Sequence, residues 1–221
     1  MDVEIRRGTD RFVDRAVGRR TLHAFSFGAW YDPERVSFGP MVCHDDHLLG
    51  SGQGFETHRH SDQVIVSWVV SGALTHTDST GGTAVLAPGQ VGVLHAGDGV
   101  EHSEVAAAPQ TRFVQVWLTP PSPGGPTSYD VVDAPAGTGS FLEVVRPVPG
   151  ATFWVCRLEP GQTVTTPAAP KVHVVVARGA LLRSSLAEPL HVGDAFLFTD
   201  RPPFELTAGV DTELLCWTFA D

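Results

Sequence analysis

Two pairs of residues combine the side-chain types and the spacing of transition-metal ligands. His58 and His60 are separated by one residue, and His102 and Glu104 repeat this spacing further along the chain. In an extended strand, side chains i and i+2 point to the same face, so each pair can reach one ion. Three imidazole nitrogens and one carboxylate oxygen suit a divalent transition metal such as Fe, Mn, Co, Ni, Cu or Zn, and the absence of a thiolate argues against a closed structural zinc site. We therefore expect one metal site on His58, His60, His102 and Glu104.

Glycine and proline residues around these pairs strengthen the metal interpretation. Histidines at i and i+2 are common on ordinary surfaces, so the first pair alone is a weak signal. Gly52 lies six residues before His58, Gly72 follows the next apolar run, and residues 88–89 (Pro-Gly) precede Gly97 and Gly99 at hairpin spacing. This arrangement resembles the cupin double motif, whose histidines lie on facing strands of a small barrel.

The remaining histidines have no partner at ligand spacing. We expect His44, beside two aspartates, to be a loop residue, and His76 and His95 to lie near turns. His23, His173 and His191 also lack a paired donor. The sequence therefore offers no second set of imidazole ligands.

The ligand pairs lie in the first of two similar halves. Short apolar runs rich in β-branched residues alternate with Gly and Pro turns, which predicts an all-β chain, and a short helix near residues 10–17 is the one helical candidate. Three segments of the first half recur in the same order in the second: 69–74 with 176–181, 88–94 with 192–198, and 116–117 with 216–217. Such a repeat indicates a duplicated β unit, and the many short strands with Gly and Pro turns imply an antiparallel sandwich or barrel.

The second half lacks the ligand residues. Projecting the repeat forward aligns the paired histidines with Thr165 and Pro167, and His102 with Leu206. None of these can act as an imidazole ligand. We expect an N-terminal metal-binding barrel with its linker in residues 1–130, the linker being the Pro- and Gly-rich residues 120–126, and a C-terminal barrel without metal ligands in residues 131–221.

Charge and composition exclude several classes of function. A formal net charge of −10 repels phosphate backbones, so we expect no direct nucleic-acid binding. No apolar run reaches the ~20 residues that span a bilayer, so we expect no membrane association, and the charged first residues are unlike a secretory signal. Cys43, Cys156 and Cys216 are too widely separated for a disulfide framework, which favours a reducing cytoplasm.

Along nearly its whole length the chain resembles the pirin family of bicupins. Three groups of segments carry the resemblance: residues 20–28, 31–33 and 38–40; residues 54–60, 72–74 and 78–79; and residues 96–104. The resemblance implies an all-β fold of two tandem antiparallel cupin β-barrels with one metal, usually iron, in the N-terminal barrel. It also places His58, His60, His102 and Glu104 on the four ligand positions of the family.

The chain departs from the family pattern beside the ligands. The family commonly has an acidic residue four positions after the second histidine, where this chain has Val64, with Gln63 beside it. The carboxylate that would orient a histidine is thus missing, and we expect this to affect metal preference and rate more than metal binding. Residues 106–107 (Ala-Ala) stand where the family often has an asparagine.

The resemblance implies two classes of function. The first is a metal-dependent dioxygenase of the quercetinase type, acting on a small aromatic substrate such as a flavonol-like hydroxy-ketone, with Glu104 as the catalytic base. The alternative is a metal-binding regulatory protein that acts through a protein partner without turnover. Other cupin chemistry on a different small molecule remains open, because one fold supports many activities.

Overall fold

The computed structural model describes residues 2–135 and 137–220, and β-strands make up almost all of its regular structure. Apart from one 3-10 turn (Gly8–Asp10), the described residues contain no helix, and so none that could cross a membrane. The strands are β1 (Asp2–Arg6), β2 (Phe12–Ala16), β3 (Arg19–His23), β4 (Met41–Leu49), β5 (Gly54–His60), β6 (Val64–Ser71), β7 (Leu74–Asp78), β8 (Thr83–Leu86), β9 (Gln90–His95), β10 (Val100–Ala106), β11 (Thr111–Leu118), β12 (Ser128–Asp133), β13 (Leu142–Val148), β14 (Ala151–Leu158), β15 (Thr163–Thr165), β16 (Lys171–Arg178), β17 (Ala180–Leu181), β18 (Leu190–His191), β19 (Ala195–Thr199), β20 (Glu205–Thr207) and β21 (Thr212–Phe219). The all-β prediction is confirmed.

The chain folds as two compact units. One unit holds residues 12–133, and the other holds the first eleven residues together with residues 134–221. The Pro- and Gly-rich residues 120–126 belong to the former unit, where the Gly124 amide donates to Asp62 and the Asp98 amide donates to the Gly125 carbonyl. The boundary between the units therefore follows β12, a few residues beyond residue 130.

The unit of residues 12–133 consists of two packed sheets. A seven-stranded sheet has the order β12-β9-β6-β11-β4-β3-β2, and a four-stranded sheet has the order β5-β10-β7-β8. Among the described residues no hydrogen-bonded ladder joins the two, so this cupin fold is an open sandwich where the sequence predicted a closed barrel. Leu49, Val69 and Phe113 of the larger sheet pack on Leu74 and Leu86 of the smaller one. This shared apolar core fixes how the two sheets face each other.

The other unit repeats the plan with shorter strands. Its main sheet has the order β1-β19-β16-β21-β14-β13, and two small ladders, β15-β20 and β17-β18, take the place of the four-stranded sheet. Strands β9, β6, β11, β4 and β3 thus correspond in order to β19, β16, β21, β14 and β13. The predicted duplication and the resulting bicupin architecture are confirmed.

The edge strands of the two main sheets come from unexpected parts of the chain. Strand β1 pairs with β19, so Asp2 lies opposite Thr199 and Arg6 opposite Ala195. At the corresponding edge of the other unit, β12 pairs with β9, and Ser128 lies opposite His95. Strand β1 thus precedes the N-terminal half in the sequence but completes the main sheet of the C-terminal half. Strand β12 precedes the C-terminal half but completes the main sheet of the N-terminal half.

The helix expected near residues 10–17 is wrong. Residues 12–16 form β2 and pair with β3 in a hairpin in which Ala16 lies opposite Arg19. The two-residue turn is made by Val17 and Gly18, and Gly18 has a φ of 66°, which glycine adopts without strain. Pairing with the neighbouring strand overrides the weak local helical pattern.

Candidate metal centre

Strand β10 is the centre of the candidate site because it pairs with β5 on one side and β7 on the other. His102 lies opposite His58 on β5 and opposite Asp78 on β7. Glu104 lies opposite His76. Alternate residues of β10 are buried, so His102 and Glu104 share the interior face, as the i and i+2 spacing predicts.

A β-bulge in β5 sets the direction of the first histidine pair. Between the His102–His58 and Glu104–Phe55 pairings, β10 has one residue and β5 has two, Glu56 and Thr57. The extra residue shifts the alternation, so Phe55, His58 and His60 are partly buried while Glu56 and Thr57 are exposed. The carbonyl oxygen of Glu56 lies 2.7 Å from His58 Nδ1. Because a carbonyl can only accept, Nδ1 carries the proton and Nε2 keeps its lone pair.

His58, His60 and His102 form a compact group of imidazoles. Their ring centroids are 4.5–5.1 Å apart, and one nitrogen from each lies within 4.8 Å of the others. His60 Nδ1 donates to Gln63 Oε1 at 3.2 Å, which leaves His60 Nε2 buried without a partner among the described residues. Gln63 thus supplies the orienting acceptor that the sequence predicts to be missing, and Val64, at the position where the family commonly has the acidic residue, lies in the core.

Burial keeps the imidazoles of His60 and His102 neutral. It lowers the pKa of His60, and the neighbouring His58 lowers it further. Burial likewise lowers the pKa of His102 to about 3, and neither ring nitrogen of His102 has a hydrogen-bond partner among the described residues. Neutral imidazoles with free buried nitrogens are the state that binds a transition metal. The donor set therefore fits such an ion.

Glu104 is a buried carboxylate with two fixed hydrogen bonds. Ser67 Oγ donates to Oε1 at 3.1 Å, and Gln115 Nε2 donates to Oε2 at 2.7 Å. Burial raises the pKa of Glu104 despite these two donors. Its carboxylate lies within 4.8 Å of donor atoms of His102 and His76, and this second donor group shares His102 with the group of three imidazoles.

His76 is the residue that the sequence reasoning missed. It lies within β7, away from the turns, and its ring is buried. Nε2 lies 3.0 Å from Asp78 Oδ2, and the ring stacks on Tyr129 at a centroid distance of 3.6 Å. Burial favours the neutral carboxyl of Asp78, but hydrogen bonds from Thr80 and His76 outweigh it and lower the pKa to about 2. The alternation of Leu74, His76 and Asp78 could have indicated one interior face.

Aromatic side chains lie beside the imidazole group. The Trp117 ring meets the His60 ring edge-on at 4.8 Å, and Phe27 meets Trp117 edge-on at 5.3 Å. Trp117 and Phe27 together form an aromatic wall of the site. Trp117 Nε1 donates to Gln115 Oε1 at 2.9 Å, so Gln115 links this wall to Glu104. Phe27 belongs to a turn in which its amide and that of Trp30 exchange hydrogen bonds, and both side chains are more than a third exposed.

The other histidines lie outside both donor groups. His44 is buried within β4, so the loop position expected for it is wrong. His23 Nδ1 lies 2.9 Å from Asp45 Oδ2, and His95 lines a separate cavity of about 300 Å³. His173 is buried on β16 and His191 is exposed on β18.

The positions of the second unit that correspond to the ligands hold other residues. Thr165 is exposed and lies opposite Glu205, and Leu206 lies opposite Val164 in the apolar core. Pro167 follows the end of β15. Where the first unit has imidazoles between β5 and β10, this unit has core packing between β15 and β20.

Known proteins resemble the chain in sequence and in fold. The pattern of the family described as Pirin matches residues 6–118. The chain is 36% identical over 230 residues to Rv0181c of Mycobacterium tuberculosis, provisionally named a quercetin 2,3-dioxygenase, and the match covers 97% of this chain and 94% of that protein. A quercetin 2,3-dioxygenase of Escherichia coli K12 is 33% identical over 110 residues, 49% of this chain and 48% of that protein.

A crystal structure of the bacterial pirin YhhW from Escherichia coli in complex with nickel(II) has the same fold. It superimposes with a TM-score of 0.88 at 22% identity and covers 99% of both chains. The fold, the donor-bearing strands and a sequence relationship over nearly the whole chain lead to one conclusion. This chain belongs to the pirin family.

Proposed function

We propose that the protein is a metal-dependent dioxygenase acting on a flavonol-like hydroxy-ketone. One observation carries the proposal: three imidazoles converge, His60 and His102 with buried nitrogens that have no partner among the described residues, next to a buried carboxylate of raised pKa. The first group supplies a place for a divalent metal, and the second supplies a base. The E. coli quercetin 2,3-dioxygenase that matches about half of this chain supports the substrate class.

We assign His58, His60, His102 and Glu104 as the ligands of one ion per chain, with iron as the resident metal. The Nδ1 hydrogen bonds of His58 and His60 hold Nε2 of each ring ready for coordination. The unit of residues 134–221 would then carry no ion of its own and serve a structural role. Equilibrium dialysis with measured metal content tests this stoichiometry, and two tightly bound ions per chain contradict it.

The bound ion supplies Lewis-acid polarisation and orientation of a chelating hydroxy-ketone and dioxygen. Glu104 takes the proton of the substrate hydroxyl on a carboxylate oxygen, which converts the substrate into its electron-rich enolate. Its raised pKa makes it a better proton acceptor than an exposed carboxylate. Ser67 and Gln115 fix the carboxylate before the substrate arrives, so little reorganisation is needed.

The aromatic wall of Trp117 and Phe27 is evidence for a flat aromatic substrate. His58 and His60 are partly exposed while His102 and Glu104 are buried, so the site opens to solvent on the side of the first pair. Trp117 lies on that side, edge-on to His60, and Phe27 lies edge-on to Trp117. Aromatic rings favour edge-to-face and offset-stacked neighbours, and a flavonol ring can take either position.

A turnover assay tests the enzymatic proposal. Apo-protein is reconstituted separately with iron, manganese, cobalt, nickel and copper, iron under anaerobic conditions. Quercetin loss is followed by absorbance, together with oxygen uptake. We expect one dioxygen consumed per flavonol with at least one of the metals. If the protein binds metal but none of the five supports turnover, the dioxygenase proposal fails.

Exposed apolar residues in one segment favour a second candidate, a metal-dependent regulator that binds a protein partner. Trp30, Tyr31 and Val36 are 44%, 75% and 48% exposed within the segment between β3 and β4. Exposed aromatic residues are enriched at protein interfaces. A fully metallated protein without turnover, whose complex with a partner is lost in a Trp30→Ala/Tyr31→Ala variant, is the result that selects this candidate over the enzyme.

We place the protein in the cytoplasm. The three cysteines are free and buried, which suits a reducing compartment. Fractionation of source cells tests this location, and recovery of the protein from an extracytoplasmic fraction contradicts it.

A further inference from the structure

His76 has the surroundings of a metal ligand, although the proposed ligand set does not include it. Its side chain is 1% exposed, and Nε2 lies 3.0 Å from Asp78 Oδ2. The other nitrogen, Nδ1, is buried and has no hydrogen-bond partner among the described residues. A buried ring nitrogen without a protein partner is uncommon, because buried polar atoms are nearly always hydrogen-bonded. An ion is one partner that satisfies it.

The neighbours of His76 are metal donors as well. His76, His102 and Glu104 each offer one ligand atom, and the three atoms lie within 4.8 Å of one another. His102 also belongs to the group of His58 and His60. Both ring nitrogens of His102 are buried without a partner among the described residues, so its ring can serve either group.

We propose that His76 is a fifth donor of the site and that one ion has a second, deeper position on His76, His102 and Glu104. This position lies beside the outer one, whose proposed ligands are His58, His60, His102 and Glu104. Two imidazoles and a carboxylate are a donor set that iron, cobalt and zinc accept in proteins. The inference rests on the proposed metal binding, and the two positions share His102 and Glu104.

The surroundings of His76 hold its ring as those of a metal ligand are held. A carboxylate bonded to one imidazole nitrogen orients the ring and raises the basicity of the other, an arrangement typical of metal-bound histidines. Asp78 is itself fixed by the Thr80 amide at 2.8 Å and by the Gly82 amide at 3.2 Å. The ring is therefore held at its edge by two successive layers of hydrogen bonds.

The face of the His76 ring is fixed as well. Tyr129 stacks on it with an interplanar angle of 3°. Gly92 makes room for this tyrosine, because a Cβ at position 92 would lie 2.3 Å from the Tyr129 hydroxyl oxygen. A histidine clamped at its edge and its face is preorganised for one direction of coordination.

Removal of the outer donors tests the inner position. Co²⁺ binding is measured by equilibrium dialysis for wild type and for His58→Ala/His60→Ala. Two triple variants add either His76→Ala or His95→Ala to this pair. His95 is the matched control because it lies in the same unit, on a separate cavity and outside both donor groups. Circular dichroism establishes that each variant is folded.

We expect the double variant and the His95 triple variant to retain one Co²⁺ per chain at reduced affinity. The His76 triple variant should bind at least ~10-fold more weakly than these two, the scale of losing a supporting group of a metal site. A folded double variant without Co²⁺ overturns the inference, as does a His76 triple variant equal to the His95 one. If wild type binds no Co²⁺, the metal site of the proposed function fails together with the inference. If wild type binds Co²⁺ and only the comparison with the His76 triple variant fails, the inference alone is overturned.

A second measurement decides the question if the double variant does not fold. The Co²⁺ absorption bands depend on the number and kind of donor atoms. In an otherwise intact chain, His76→Ala should change the intensity of these bands, whereas His95→Ala should leave them as in wild type. Identical spectra for wild type and His76→Ala overturn the inference.

Discussion

Replacing Glu104 by glutamine separates the stability of the fold from metal binding and from chemistry. The substitution keeps the shape of the side chain and one oxygen donor, but removes the negative charge. In the folded protein this carboxylate is 3% exposed and accepts hydrogen bonds from Ser67 and Gln115. Ser67 Oγ can also accept, so the new amide NH₂ finds a partner there while its oxygen still faces Gln115.

The expected change in apo-protein stability follows from the direction of the Glu104 pKa. Burial raises this pKa in the folded state, so the carboxyl stabilises the fold below its unfolded pKa, and this contribution is lost as the pH rises through the folded value. Each unit of such a shift corresponds to about 1.4 kcal/mol. At pH 7.5 the Glu104→Gln apo-protein should therefore be at least as stable as wild type in urea unfolding.

Metal affinity and turnover should change in the opposite direction. Loss of the carboxylate should weaken metal binding ~10–100-fold, the scale measured for supporting groups of metal sites. Flavonol turnover at saturating metal should fall by ~10²–10⁴, the usual contribution of a general base. Glu101→Gln on the same strand is the control, because Glu101 is exposed. A fully metallated and fully active Glu104→Gln variant refutes the role of Glu104 as base. A Glu104→Gln apo-protein that is less stable than wild type at pH 7.5 refutes the argument that the buried charge of Glu104 destabilises the fold.

Three further predictions concern the frame of the site and the acid stability of the fold. Gly54→Ala should cost ~1–3 kcal/mol in urea unfolding and weaken Co²⁺ binding in dialysis, because the new Cβ would lie 2.0 Å from a backbone carbonyl oxygen of β10. Gln63→Ala should weaken Co²⁺ binding ~10-fold by removing the acceptor of His60 Nδ1, and Gln63→Glu should restore it. Burial lowers the pKa of His173 to about 3, so its stabilising contribution is present above the unfolded pKa of 6.5 and is lost as the pH falls towards 3. Between pH 7.5 and pH 5 wild type should lose about 2 kcal/mol through this residue, and urea unfolding of His173→Leu should show a pH dependence smaller by that amount.

Each of these predictions has an outcome that contradicts it. Gly50→Ala is the control for Gly54→Ala, because its Cβ would meet nothing closer than 3.5 Å, and equal effects of the two refute the steric reasoning. A Gln63→Ala variant with wild-type affinity shows that the amide does not orient His60. Parallel pH profiles of stability for wild type and His173→Leu show that this histidine does not couple folding to protonation.

The sequence predicts which residues form the site better than it predicts how those residues are arranged. The i and i+2 spacing predicted that His102 and Glu104 share a face, because β10 is regular. The same rule extended backwards from His58 puts Glu56 in the interior, but the bulge in β5 puts Phe55 there. Bulges follow from the pairing of two strands, and a local pattern in one strand does not contain that information.

Residues that act through long-range pairing were the ones missed. His76 looked isolated because its relation to Glu104 exists only when β7 pairs with β10. Val64 stands where the family commonly has a carboxylate, but the amide oxygen of the adjacent Gln63 reaches His60. The Pro- and Gly-rich residues 120–126 read as a linker, but their backbone is hydrogen-bonded to the unit of residues 12–133.

The position of β1 at the edge of the C-terminal unit has a consequence for how the chain folds. During synthesis residues 2–6 leave the ribosome long before their partners, residues 195–199. Until the two segments meet, β19 presents the unpaired edge of an apolar strand, Ala-Phe-Leu-Phe-Thr, the kind of segment that aggregates. Closing so long a loop also slows the final step of folding. Deletion of residues 2–6 therefore acts on a distant part of the sequence, because it leaves the edge of β19 open to association with other copies.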